Sequence, residues 1–207
     1  MYMIRFIIIS IIFFTSFLSS ETKLIILGSG TPNPDPERYG SGYAVVVNDE
    51  AYIVDFGPGI VRRISAMSPT WGGEFPSMEL ENINTAFLTH IHSDHSGALA
   101  DLILTPWIMG RDEPLNLYGP EGLKAMSENI TEAYIDDINY RLYGSQPANE
   151  LGFTTNVTEI LDDGIIFKDN NIEVIAFKNA HGDFKNSFGF LFITDDKRIL
   201  FSGDTAV

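Results

Sequence analysis

Thr89-His90-Ile91-His92-Ser93-Asp94-His95-Ser96-Gly97 sets three histidines and one aspartate close together in a chain that has four histidines in all. Neutral imidazole and ionised carboxylate are the ligands that suit zinc where thiolates are lacking, and this chain has no cysteine. The fourth histidine stands in Asn179-Ala180-His181-Gly182-Asp183. Every histidine therefore belongs to a candidate metal cluster or lies beside one. Isolated His-x-His pairs are common, but His-x-His-x-Asp-His is not, and its spacing reads as that of a two-metal site.

The flanking sequence places these groups. Residues 84–88 read as a strand, 90–94 as a loop, and 98–105 as a helix stopped by Pro106. Upstream, residues 23–27 read as a buried strand closed by Gly28-Ser29-Gly30-Thr31-Pro32, whose glycines suit a turn better than a phosphate cradle. Residues 43–47 and 51–54 form a hairpin around Asn48-Asp49-Glu50, and its second strand delivers Asp55 into Asp55-Phe56-Gly57-Pro58-Gly59. A helix with Ile60, Ile64 and Met67 on one face follows. Residues 115–118 read as a strand and 121–129 as a helix; residues 131–156 are a helical excursion or a substrate-side loop. A strand over 172–177 then ends just before His181, another covers 187–194, and a third over 198–201 ends just before Asp204. Strands alternating with helices make an α/β fold, and groups hung from separate strand ends lie where open α/β sheets place their sites.

Two residues apart on extended backbone, His90 and His92 can face one ion, with His181 as a third nitrogen and water in the fourth corner. Asp94 and His95 point to a second pocket, where Asp204 can bridge both ions. Asp55 is better placed to accept a hydrogen bond that orients a ligand histidine or the loop than to bind metal itself, a turn-forming role being the alternative.

Together, Leu27-Gly28-Ser29-Gly30-Thr31-Pro32, Val54-Asp55-Phe56-Gly57-Pro58-Gly59, the box over residues 89–97, Leu117-Tyr118-Gly119-Pro120-Glu121-Gly122, His181 and Ser202-Gly203-Asp204-Thr205 resemble the metallo-β-lactamase superfamily. The resemblance is to the branch of ribonuclease Z and arylsulfatase-like zinc hydrolases. It implies a four-layer αββα sandwich with two Zn2+ ions at one sheet edge: His90, His92 and His181 on the first, Asp94, His95 and bridging Asp204 on the second. Asp94 and Asp204 would thereby take part directly in catalysis. Family members continue beyond the Ser-Gly-Asp aspartate, so the fold expected here lacks its C-terminal part, with apolar surface exposed around residues 199–201 and the second ion weakly held.

The function expected is hydrolysis of a phosphodiester, sulfate ester or related small ester by metal-bound hydroxide. The alternatives are a ribonuclease Z-like tRNA 3′-processing endonuclease and a truncated, non-catalytic metal-binding fragment. A formal charge of −15, from 28 acids against 13 bases, repels phosphate backbones and disfavours nucleic acid. The partner expected is therefore a small-molecule ester, and a homodimer is compatible with the reading. Residues 1–20 are compositionally separate: Arg5 precedes an apolar stretch over residues 6–18, too short to span a bilayer and of the length of a signal h-region. The expected organisation is a signal peptide over residues 1–20, or an uncleaved membrane anchor, followed by one metallo-β-lactamase-like domain over 21–207. The product would be secreted or periplasmic.

Overall fold

The computed structural model describes residues 21–205, so the leader expected over residues 1–20 lies outside the described residues. One six-stranded sheet runs in the order β1 (Lys23–Gly28), β2 (Gly42–Val47), β3 (Glu50–Val54), β4 (Thr85–Phe87), β5 (Leu115–Pro120) and β6 (Thr155–Ile160). A four-stranded sheet holds β7 (Gly164–Lys168), β8 (Glu173–Lys178), β9 (Phe188–Ile193) and β10 (Arg198–Phe201) in the order β10-β9-β8-β7. The helices are α1 (Ile60–Met67), α2 (Ser93–Ser96), α3 (Leu99–Ile108), α4 (Leu123–Ala133) and α5 (Ile135–Tyr143).

Chain connectivity follows from local chemistry. Asn48 and Asp49 adopt positive φ of 49° and 66°, the turn that matches the twist of a two-residue hairpin, and β2 pairs antiparallel with β3 across it. From β3 to β6 the pairing is parallel, which requires crossovers, and helical segments supply them. Both faces of the large sheet are covered, so β2 and β3 read as unbroken apolar runs whose alternate residues go to different cores. Ala44, Val46, Ala51 and Ile53 pack towards Ile60, Ile64, Leu102 and Leu123 of the helices. Val45, Val47, Tyr52 and Val54 face Val174, Phe188, Phe190 and Phe192 of the small sheet. Phe87 is the hub between the sheets, with ring centroids 5.1 Å from Tyr118 and 5.2 Å from Phe192. The described residues thus build three successive layers, helices on sheet on sheet.

Two polar latches tie the sheets together at the pole where β9 ends. Thr22 Oγ1 donates to Asp196 Oδ1 (2.5 Å) and lies 2.7 Å from Thr194 Oγ1, pinning the entry of β1 to the β9–β10 turn. Tyr52 donates to Asp169 Oδ2 at 2.5 Å, joining β3 to the β7–β8 turn; burial, then the Asp169 carboxylate, push its phenol above the ordinary range.

Three stretches refine or depart from the sequence expectation. Pro106 lies inside α3 rather than ending it. Its missing N–H would leave the Leu102 carbonyl unpaired, but the buried Arg111 guanidinium donates there at 3.1 Å and to the Ile103 carbonyl at 2.7 Å. Of the two alternatives for residues 131–156, the helical one holds: the end of α4 and α5 are followed by a loop whose Gly152 carbonyl accepts from Arg111 Nη2 at 2.7 Å, and β6 begins at Thr155. Finally, the apolar exposure expected at residues 199–201 is concentrated at Leu200 (62% exposed); Phe201 is buried against Tyr43 and Phe192.

Candidate metal centre

Four strand ends converge at one pole. Asp55 follows β3, the box from Thr89 follows β4, His181 follows β8 and Asp204 follows β10. The two sheets are joined here by the Phe188 N–H, which donates to the Thr89 carbonyl at 3.0 Å. Against the box lies the Asp55–Gly59 stretch: Phe56 N–H donates to the His95 carbonyl at 2.7 Å and Ala98 N–H to the Phe56 carbonyl at 2.9 Å. Gly57 makes this approach possible, since a Cβ there would stand 1.9 Å from the Asp94 carbonyl oxygen.

Asp55 occupies the orienting place expected of it. Buried and held at φ 57°, its carboxylate accepts from the Thr89 N–H (2.8 Å) and hydroxyl (3.0 Å), and its Oδ2 is 2.7 Å from His95 Nδ1. That bond fixes the His95 ring with Nε2 turned inward, 3.3 Å from Asp204 Oδ1 and 3.6 Å from Asp94 Oδ2.

His90, His92 and His181 form a first group. His92 Nδ1 is 3.1 Å from both His90 Nε2 and His181 Nε2. Tetrahedral Zn–N bonds of about 2.0–2.1 Å separate ligand nitrogens by roughly 3.3–3.4 Å, so these three fit one small cation. His90, His95 and Asp204 form a second group with donor atoms within 4.8 Å of one another. Asp94 borders that group through His95, and its Oδ1 is buried without a hydrogen-bond partner. An orphaned buried carboxylate oxygen is costly, and a cation is the partner it fits. Asp204, half exposed, joins the two groups: Oδ1 faces His95 and Oδ2 lies 3.9 Å from His181 Nε2. All six expected ligands are therefore gathered at one pole.

The two buried histidines are tuned in opposite directions. Burial, then the neighbouring His95, hold the His90 imidazole down to about 3, so it offers lone pairs at neutral pH. Burial also pulls His95 down, but the hydrogen bond and charge of Asp55, then Asp204 and Asp94, outweigh it and raise it. Sequence reasoning missed Phe184, whose N–H donates to the His181 carbonyl and whose ring lies 4.6 Å from that of His92. Nothing in its spacing singles it out. Below the second group, a cleft of about 230 Å³ runs between the edges of the two sheets, lined by Ser41, Tyr43, Asp55, His95, Phe201 and Asp204 among others.

The family model described as anti-Pycsar protein Apyc1 matches residues 22–207. The chain belongs to the Apyc1 family. Among curated relatives, ribonuclease Z of Mycolicibacterium gilvum (strain PYR-GCK) is 27% identical to this Apyc1-family chain over 190 residues, covering 88% of it and 61% of the relative. Ribonuclease Z of Mycobacterium bovis (strain BCG / Pasteur 1173P2) is 28% identical over 190 residues, covering 88% and 62%. The chain spans slightly less than two thirds of these relatives' length. Human tRNase Z, short form, superposes with a TM-score of 0.69 at 24% identity over 89% of this chain and 69% of that one. The metallo-β-lactamase fold protein YhfI of Bacillus subtilis superposes with a TM-score of 0.63 at 15% identity over 90% and 64%. This Apyc1-family chain thus has the metallo-β-lactamase fold and is similar in sequence to ribonuclease Z proteins.

Proposed function

We propose that this Apyc1-family chain carries the metal centre of a hydrolase that cleaves phosphodiesters. The observation that carries the reading is Asp204, which turns one carboxylate oxygen towards each of two adjoining ligand groups. His90, His92 and His181 would hold one divalent cation, and Asp94, His95 and Asp204 the other. Zinc, when bound, supplies Lewis-acid polarisation of the ester and acidifies a water. The chain's own residues do the rest: Asp55 keeps the His95 Nδ1 proton in place, neutral His90 offers its lone pair without prior proton loss, and the Phe184 ring packs against that of His92. Among the esters considered from sequence, the phosphodiester is the one that the ribonuclease relatives support.

The test measures zinc content and turnover of bis(p-nitrophenyl) phosphate beside p-nitrophenyl sulfate. Expected are two ions per chain, phosphodiester turnover lost on chelation, and at least about a 100-fold drop in His92→Ala. Arylsulfate turnover without phosphodiester turnover would overturn the reading. A second reading, a tRNA-processing endonuclease, is favoured by the ribonuclease Z relatives, while the charge of −15 favours a small substrate. Cleavage of precursor tRNA in preference to the chromogenic diester would establish the endonuclease.

A further inference from the structure

Asp204 can bridge only if its turn is held against the other sheet strands, and β10 itself ends three residues earlier. One side chain bonds that turn at both ends. Asn179, two residues before His181, donates through Nδ2 to the Ser202 carbonyl at 2.5 Å and to the Asp204 carbonyl at 3.3 Å. Its backbone is fixed in turn, the Asn179 N–H donating to the Ser187 carbonyl at 3.1 Å. Between the two accepting carbonyls, Gly203 sits at φ 58°, with the Phe188 carbonyl, the Thr89 side chain and the Asn179 amide within 3.4 Å of where a Cβ would be. The amide orientation is forced, because the flipped rotamer would aim Oδ1 at two carbonyl oxygens. Oδ1 makes no hydrogen bond, so the side chain acts here as a donor alone.

We infer that Asn179 is a positioning residue for the second cation: it clamps the Ser202–Asp204 turn and thereby carries the Asp204 carboxylate to the place where it meets His95. The same strand end then serves both groups, His181 as a direct donor to the first and Asn179 through the backbone to the second. This deepens the metal-centre reading and rests on it. Backbone carbonyls held by an amide fix a ligand's direction as outer-shell partners of metal ligands do, and loss of such a partner lowers metal affinity about 10–100-fold.

The experiment is cobalt(II) titration of the metal-free chain, followed by absorption spectra and equilibrium dialysis, for wild type, Asn179→Leu and Asn179→Ala. Leu keeps the size of Asn and removes the donor. Asn179 is only partly buried, so both variants should fold, and thermal melting of the metal-free forms checks this. Expected is an unchanged first uptake step with a second step weakened about 10–100-fold in both variants. A folded variant that binds two ions with wild-type affinities overturns the inference and leaves the metal centre standing. A wild type that takes up no cobalt overturns the metal centre itself, and the inference with it.

Discussion

His90 shows how much one buried side chain can reveal. Its ionisation sits near 3 in the folded chain, against an ordinary value of about 6.5, because burial and then His95 disfavour the cation. The unfolded chain therefore takes up a proton that the fold refuses, so the stability of the metal-free protein should decline as pH falls from about 6.5 towards 3. His95 is shifted the other way; its contribution is complete below about 6.5 and fades as pH rises above that. Urea midpoints at pH 7 and pH 4.5 test this, with a shallower decline expected in His90→Gln than in wild type. The same residues measure what sequence could tell. The ligands were readable because His-x-His-x-Asp-His is a local pattern whose spacing carries its own chemistry. Asn179 and Phe184 were not, because an amide and a ring acquire their roles only when β8, β10 and the box meet in space.

Among the elements, α3 is where composition misled. A proline within a helical pattern costs a hydrogen bond and ordinarily ends the helix, and nothing local announces that Arg111, five residues on, will replace the missing donor. Arg111 is a lone cation on the sequence, yet it is buried and bonds the carbonyls of Ile83, Leu102, Ile103 and Gly152, with burial lowering its guanidinium to about 10. Arg111→Met should cost about 3 kcal/mol or more in denaturant unfolding, since it strands several buried carbonyls at once. Adding Pro106→Ala restores an N–H for Leu102, so the double variant should recover roughly 1 kcal/mol, a coupling that a double-mutant cycle reads directly. The strands β6 and β7 went unseen for a related reason: Thr155–Ile160 is largely polar at the sheet margin, and Gly164–Lys168 is an edge strand whose register shift between Ile165 and Phe167 breaks the two-residue alternation. Their pairing partners, rather than their own residues, make them strands.

For the assembled protein, the order of apolar runs and turns was enough to place strands and helices in an α/β sandwich, because both cores draw on alternate residues of the same strands. Net charge is a property of the full surface and acts at a distance. At −15, the protein repels a long polyanion at low ionic strength and does so less once salt shortens the screening length to about 8–10 Å. If RNA is cleaved, its KM should fall as salt rises from about 0.05 to 0.15 M, opposite to the counterion-release slope of ordinary nucleic-acid binders. A small diester should show little change. Steady-state kinetics on both substrates across that range separates the cases.

The Thr22 latch has a practical corollary. β1 runs from that latch towards the loop that meets Asp94, so Glu21 and Thr22 lie at the pole far from the histidines. A bead or surface coupled through a cysteine placed at exposed Glu21 would present the histidines outward to bulk solution, free to receive substrate.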